Sequence, residues 1–201
     1  CSTKCKQLAN DSFHRYECPI IDLLHNFFDE VHSFALRLCL SALDIFPSIG
    51  QLRRFASDPQ NLQLSAFDLD YNKLKATEQY KAINSLITNQ NLRSTSDLFQ
   101  RSVICAILKY FAIEYTPLKR LMIKEKSQNF FAELLFRHLQ IASCNTHGID
   151  LVEQLQSTHT NDEIHSLAVY PMLSMLNHSC APNTLRIYSG TKAYLFVFRP
   201  I

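Results

Sequence analysis

Two short stretches of this sequence carry side chains whose types and spacing could do chemistry. The first pairs Cys1-x3-Cys5 with His14-x3-Cys18. Zinc takes four such soft or borderline ligands in a tetrahedron, and short Cys/His spacings let one turn of chain place two of them. The simplest reading of these residues is a single Cys3His zinc site. The second stretch runs Tyr170-Pro-Met-Leu-Ser174-Met-Leu-Asn177-His178-Ser179-Cys180-Ala-Pro182-Asn183. It is a short apolar segment that ends in four polar residues and a proline turn. Polar groups at the end of an apolar segment suit a dry ligand pocket. A structural histidine and a small buried cysteine account for the same letters.

Taken as one string, Asn-His-Ser-Cys-x-Pro-Asn at 177–183 resembles the signature of SET-domain methyltransferases. The preceding Tyr170-Pro-x-x-Ser174-x-Leu176 resembles the SET- and MYND-domain (SMYD-type) protein-lysine methyltransferases in particular. The resemblance implies that Asn177 and His178 hold S-adenosylmethionine (SAM), with Ser174 and Leu176 lining the same pocket. It implies that Cys180 ligates a zinc whose other ligands come from a cysteine cluster beyond Ile201, which leaves Cys180 a free thiol here. Cys144-Asn145 is similar to the junction at which the family's asparagine reaches SAM, so Asn145 joins the cofactor candidates. A helix C-terminal Asn in the left-handed conformation explains Asn145 equally well.

Cys1, Cys5, His14 and Cys18 look like the last four ligands of a MYND finger. That finger interleaves its ligand pairs over two zincs, so each zinc would here have half its ligands. The separate Cys3His site stays open beside this reading. The strand at 193–198 looks like the one that, in the family, leads towards a catalytic tyrosine. No tyrosine of this chain matches that position, and the residue is expected beyond Ile201.

Apolar periodicity predicts the elements that must position these groups. Ile20, Leu24, Phe27, Phe28, Val31, Phe34, Ala35, Leu38, Ala42 and Leu43 follow helical spacing, with Pro19 in the first turn and Pro47 and Gly50 closing the helix. Residues 51–72 read as looser, with a turn at Asp58-Pro59. A second helix is expected around Tyr80, Ile83, Leu86 and Ile87. Ser94 or Ser96 would cap a third that carries Leu98 to Phe111 and breaks at Thr116-Pro117. Phe130 to Leu139 mark a fourth. Beyond Cys144 the runs at 146–152, 164–170, 184–188 and 193–198 read as strands, the last two joined by a hairpin turn at Ser189-Gly190. The expected class is α+β, mostly helical, with a small β-rich part following. By the resemblance, 1–18 is a zinc-finger remnant, 19–145 the helical SET insert and 146–201 an incomplete SET core.

Composition narrows the partners. The net charge is +2, and basic residues are scattered, which leaves no electrostatic footprint for nucleic acid. No apolar run reaches the ~20 residues of a membrane helix. Three glycines argue against a Gly-rich nucleotide fold. Seven cysteines, four of them isolated in sequence and two of these, Cys39 and Cys105, inside apolar helical patterns, fit reduced thiols with a metal site better than a disulfide framework. Localisation is expected in the cytoplasm, the nucleus or both.

The chain opens on Cys1 and stops at Ile201 after an apolar run, so both ends are expected to be cuts and the isolated chain to transfer little methyl. The expected partners are a protein substrate with a target lysine and proteins recruited by the MYND surface. The competing function is a catalytically silent SET/MYND scaffold. His25 and His32, seven apart on the expected first helix, read as a solvated face.

Overall fold

The computed structural model describes residues 2–62, 65–70, 75–149 and 166–200. It comprises two compact units, Cys1–Cys144 and Asn145–Ile201.

The first unit is helical. Ser2 caps α1 (Thr3–Asp11) by accepting from the Cys5 amide at 3.2 Å. Then come α2 (His14–Glu17), a 3-10 turn at Cys18–Ile20 that takes up Pro19, and α3 (Ile21–Phe27). The long helix expected over 20–46 is divided. Phe28 and Asp29 are extended, and the Asp29 carboxylate accepts from the His32 amide at 2.8 Å to start α4 (Glu30–Ile45). A short acidic side chain that can cap a new helix competes with helix continuation. Phe28 meets the Phe111 ring edge-on at 6.1 Å. His25 and His32 therefore lie on different helices, and the shared face expected for them does not exist.

Gly50 does not close a helix. It lies inside α5 (Ile49–Ser57), which Ser48 caps by accepting from the Gln51 amide at 3.2 Å. The stretch read as loose thus begins with a helix whose Ile49, Leu52, Phe55 and Ala56 face the core. The short α6 (Pro59–Leu62) and α7 (Ala76–Asn84) follow. Ser94 starts α8 (Thr95–Glu114) by accepting from the Asp97 amide at 3.1 Å. After Thr116-Pro117 comes α9 (Leu118–Lys124), a helix the charged run Lys119-Arg120 concealed, and then α10 (Gln128–Asn145).

One apolar core joins these helices. Phe131, Leu135 and Leu139 of α10 are buried with Leu36 and Leu40 of α4, Leu52 of α5, Leu108 of α8 and Met122 of α9. Each such side chain contributes about 1.5–3 kcal/mol by leaving water. Among the described residues, no single helix is long and apolar enough to cross a membrane.

The second unit holds two small antiparallel pairs. Strand β1 (Thr146–Ile149) pairs with β2 (Ser166–Val169), with His147 opposite Ala168. Residues 150–152 and 164–165 of the expected strands lie outside the described residues. Strands β3 (Thr184–Ser189) and β4 (Lys192–Val197) form the expected hairpin, with Ser189 opposite Lys192 across Gly190-Thr191. Gly190 has φ +58°, the left-handed conformation that a two-residue hairpin loop requires. The class is α+β, dominated by helix.

Candidate cofactor site

Strand β1 begins at the residue after the last residue of α10. Asn145 ends the helix and is 2 % exposed. The last carbonyls of a helix have no partner within it. Asn145 finds one in Ser174, on a 3-10 turn at Leu173–Met175 beyond β2. The Ser174 hydroxyl lies 3.3 Å from the Asn145 carbonyl oxygen and 3.1 Å from that of Tyr170, and can donate to either. The Ser174 amide also donates to Tyr170, at 2.9 Å. The turn is thus locked by its own backbone and by its serine, and two of the sequence-predicted residues meet there.

The other predicted cofactor residues follow on the chain that leaves this turn. Leu176 is 47 % exposed, and Asn177 and His178 are exposed. His178 Nε2 lies 3.3 Å from Cys180 Sγ, and both side chains face solvent. Cys180 is a free thiol.

Two residues that the sequence reading passed over, His147 and Arg186, stand behind Ser174. His147 of β1 places Nε2 3.4 Å from the Ser174 hydroxyl, and Arg186 of β3 reaches His147 Nδ1 at 3.0 Å. The ring of Tyr170 stacks on that of Tyr188 at 5.7 Å and lies 6.1 Å from the His147 ring. Burial, then the Arg186 charge, hold His147 below its ordinary pKa of 6.5. Burial raises the Tyr170 phenol above 10.0. Only strand alternation could have flagged His147 and Arg186, since nothing local links β1 to β3.

The described N-terminal ligand candidates lie on two short helices and the turn that follows them. Cys5 is exposed on α1, and its thiol accepts from the Ser2 hydroxyl at 3.2 Å, a contact that lowers its pKa. His14 and Cys18 are one helical turn apart, since the Cys18 amide donates to the His14 carbonyl. Residues at this spacing share a helix face, which suits two ligands of one metal. Cys1 lies outside the described residues. Among the described residues, no three His, Cys, Asp or Glu side chains are grouped to hold a metal ion. The described residues by themselves therefore do not make a complete zinc site.

No family model matches the chain, and no solved structure matches it. Curated relatives do. The chain is 28 % identical to the protein-lysine N-methyltransferase SMYD4 of Mus musculus, over 96 % of its own length and 29 % of the relative's. It is 25 % identical to the Gallus gallus protein of that name, over 100 % of the chain and 33 % of the relative. For the Danio rerio protein the figures are 26 %, 92 % and 28 %. The chain thus spans about a third of the length of the relatives it matches. Five curated relatives share that name, and they support an SMYD-type family for this chain.

Proposed function

We propose that this chain is part of a SAM-dependent protein-lysine N-methyltransferase and that Asn145, Ser174, Leu176, Asn177 and His178 contribute to its cofactor site. The single observation behind this reading is the meeting of Asn145 and Ser174, distant in sequence, at one locked turn that leads straight into Asn177-His178. The donor set fits the group. Two carboxamides, a hydroxyl and an imidazole can satisfy an adenosine and an amino-acid moiety, and Leu176 offers apolar surface.

When bound, SAM supplies an already activated methyl group, so the protein's task is to bind, orient and exclude water. Ser174 holds the backbone of Asn145. Asn177 and His178 project from the segment that this turn aims. The target is a lysine side chain on a histone or another protein, and its amine must be neutral to attack, which desolvation favours.

Calorimetric titration of the full-length protein with SAM tests the assignment. Asn177→Ala is expected to weaken binding about tenfold or more, the cost of an unreplaced polar contact. Unchanged affinity would reject Asn177 as a cofactor residue. No binding by the unaltered protein would favour the silent scaffold.

The spacing of Cys1, Cys5, His14 and Cys18 adds zinc to the reading. One tightly held zinc per isolated chain that Cys1→Ser abolishes would support a Cys3His site. Zinc bound only by the full-length protein would support shared MYND sites.

A further inference from the structure

The turn that carries Ser174 is held from outside the set of proposed cofactor residues. Arg186 NH1 lies 3.0 Å from His147 Nδ1. A guanidinium can only donate, so Nδ1 must accept, and the neutral ring then carries its proton on Nε2. Nε2 faces the Ser174 hydroxyl at 3.4 Å, which makes the serine oxygen the acceptor of that contact. The hydroxyl keeps its own proton for the Asn145 and Tyr170 carbonyls at 3.3 and 3.1 Å. The direction of every step is thus set by the arginine.

We propose that His147 and Arg186 are positioning residues: a one-way donor chain, Arg186 to His147 to Ser174, whose single hydroxyl proton is shared by the Asn145 and Tyr170 carbonyls, that holds the cofactor site in register. This role rests on the proposed function. It also gives the chain a defined breaking point. A proton on Nδ1 would set N–H against N–H at the Arg186 contact and end the relay. The groups that face the His147 ring are few. Arg186 comes from β3, Tyr170 from the segment after β2 and Ser174 from the 3-10 turn, while β2 places the uncharged Ala168 opposite. Among these described neighbours, none is an acid that would welcome the imidazolium.

Nitrogen-15 NMR of the full-length protein at neutral pH reads the relay without turnover, with the His147 signals assigned by their loss in His147→Phe. The expected result is an unprotonated Nδ1 and a protonated Nε2. The opposite tautomer overturns the proposal. SAM titrations between about pH 5 and pH 8 read the role, because imidazole titrates in that window. Arg186→Leu is expected to weaken binding about tenfold at pH 7.5, with Arg186→Lys recovering most of it, since one lost donor contact has that order of effect. Affinity of the unaltered protein is expected to fall as pH drops below 6.5, and Arg186→Leu to move that fall to higher pH. Binding that requires Asn177 yet ignores Arg186→Leu overturns the positioning role alone. No binding by the unaltered protein overturns the proposed function and this role with it.

Discussion

Tyr80 of α7 and His138 of α10 stack ring on ring in the helical unit, 5.7 Å between centroids and 7° between planes. The His138 side chain is completely buried. Its Nδ1 lies 2.8 Å from the Leu134 carbonyl and donates to it, so Nε2 carries no proton and has no hydrogen-bond partner among the described residues. Burial drives the His138 pKa down to about 4; the Leu134 contact works against this and the Arg137 charge adds to it.

A histidine that must stay neutral to fold makes the unit acid-sensitive. The folded pKa lies below the unfolded value of 6.5, so the unfolded chain takes up the proton first. Stability is full above about pH 6.5 and falls as pH drops towards 4, by on the order of 3 kcal/mol. Urea titrations of the wild type and His138→Phe over this range are the check. The phenylalanine keeps the stack on Tyr80, leaves Leu134 its helical amide, and removes the orphaned nitrogen. It is expected to flatten the pH slope while changing stability at pH 7 by no more than about 1 kcal/mol. An unchanged slope would locate the acid sensitivity elsewhere.

Glu17 is 1 % exposed and accepts from two of the three guanidinium nitrogens of a half-exposed Arg37: Nε at 2.9 and 3.2 Å and NH2 at 2.8 Å. Arg37 also lies over the Phe13 ring at 4.5 Å. Removing the arginine strands a buried carboxylate, so Arg37→Ala is expected to cost about 3 kcal/mol or more in chemical denaturation. The double variant Arg37→Ala with Glu17→Leu is expected to regain much of that loss, because an apolar residue of similar size needs no partner. Additive losses in the double variant would contradict this account.

How much was legible in the sequence follows the range of the interactions. The spacing of Leu98 to Phe111 and the Ser94 cap foretold α8, and Ser189-Gly190 foretold the β3–β4 hairpin, because those signals are local. The division at Phe28-Asp29 was hidden, since apolar spacing continues across it and only the Asp29 cap interrupts the helix. Short α9 was hidden by its basic residues, although Leu118 and Met122 on its inner face are buried. At the candidate site, Ser174 and Asn145 were named from their motifs. That Ser174 bonds the Asn145 carbonyl, and that Arg186 and His147 stand behind it, depends on two separate strands, the last residue of a helix and a turn meeting, which no local pattern encodes.

Gly190 isolates a conformational effect. A Cβ there would meet nothing within 4 Å, so the only obstacle to a side chain is φ +58°. Gly190→Ala is expected to cost about 1–2 kcal/mol locally, seen as faster amide exchange in β3 and β4. Gly190→Asn, which tolerates the left-handed region, is expected to cost less. Equal losses in the two variants would mean that backbone conformation is not the cause.

Arg93, between α7 and α8, ties three parts of the helical unit together. Its Nε donates to the Thr88 carbonyl at 2.9 Å and NH1 to Asp97 at 3.0 Å. NH2 reaches the Gln140 carbonyl at 3.3 Å, the Ser143 hydroxyl at 2.9 Å and Cys144 Sγ at 3.1 Å. A guanidinium therefore sits against the last turns of α10, the charge that suits a helix C-terminus. A lysine brings the same charge at a single point and cannot serve Thr88, Asp97 and Gln140 together. Arg93→Lys is thus expected to lose most of what Arg93→Ala loses, about 2–3 kcal/mol in chemical denaturation. Hydrogen exchange should show the damage first at the amides of Gln140 to Cys144, where the helix frays. A lysine variant as stable as the wild type would reduce Arg93 to a mere positive charge and refute the geometric role.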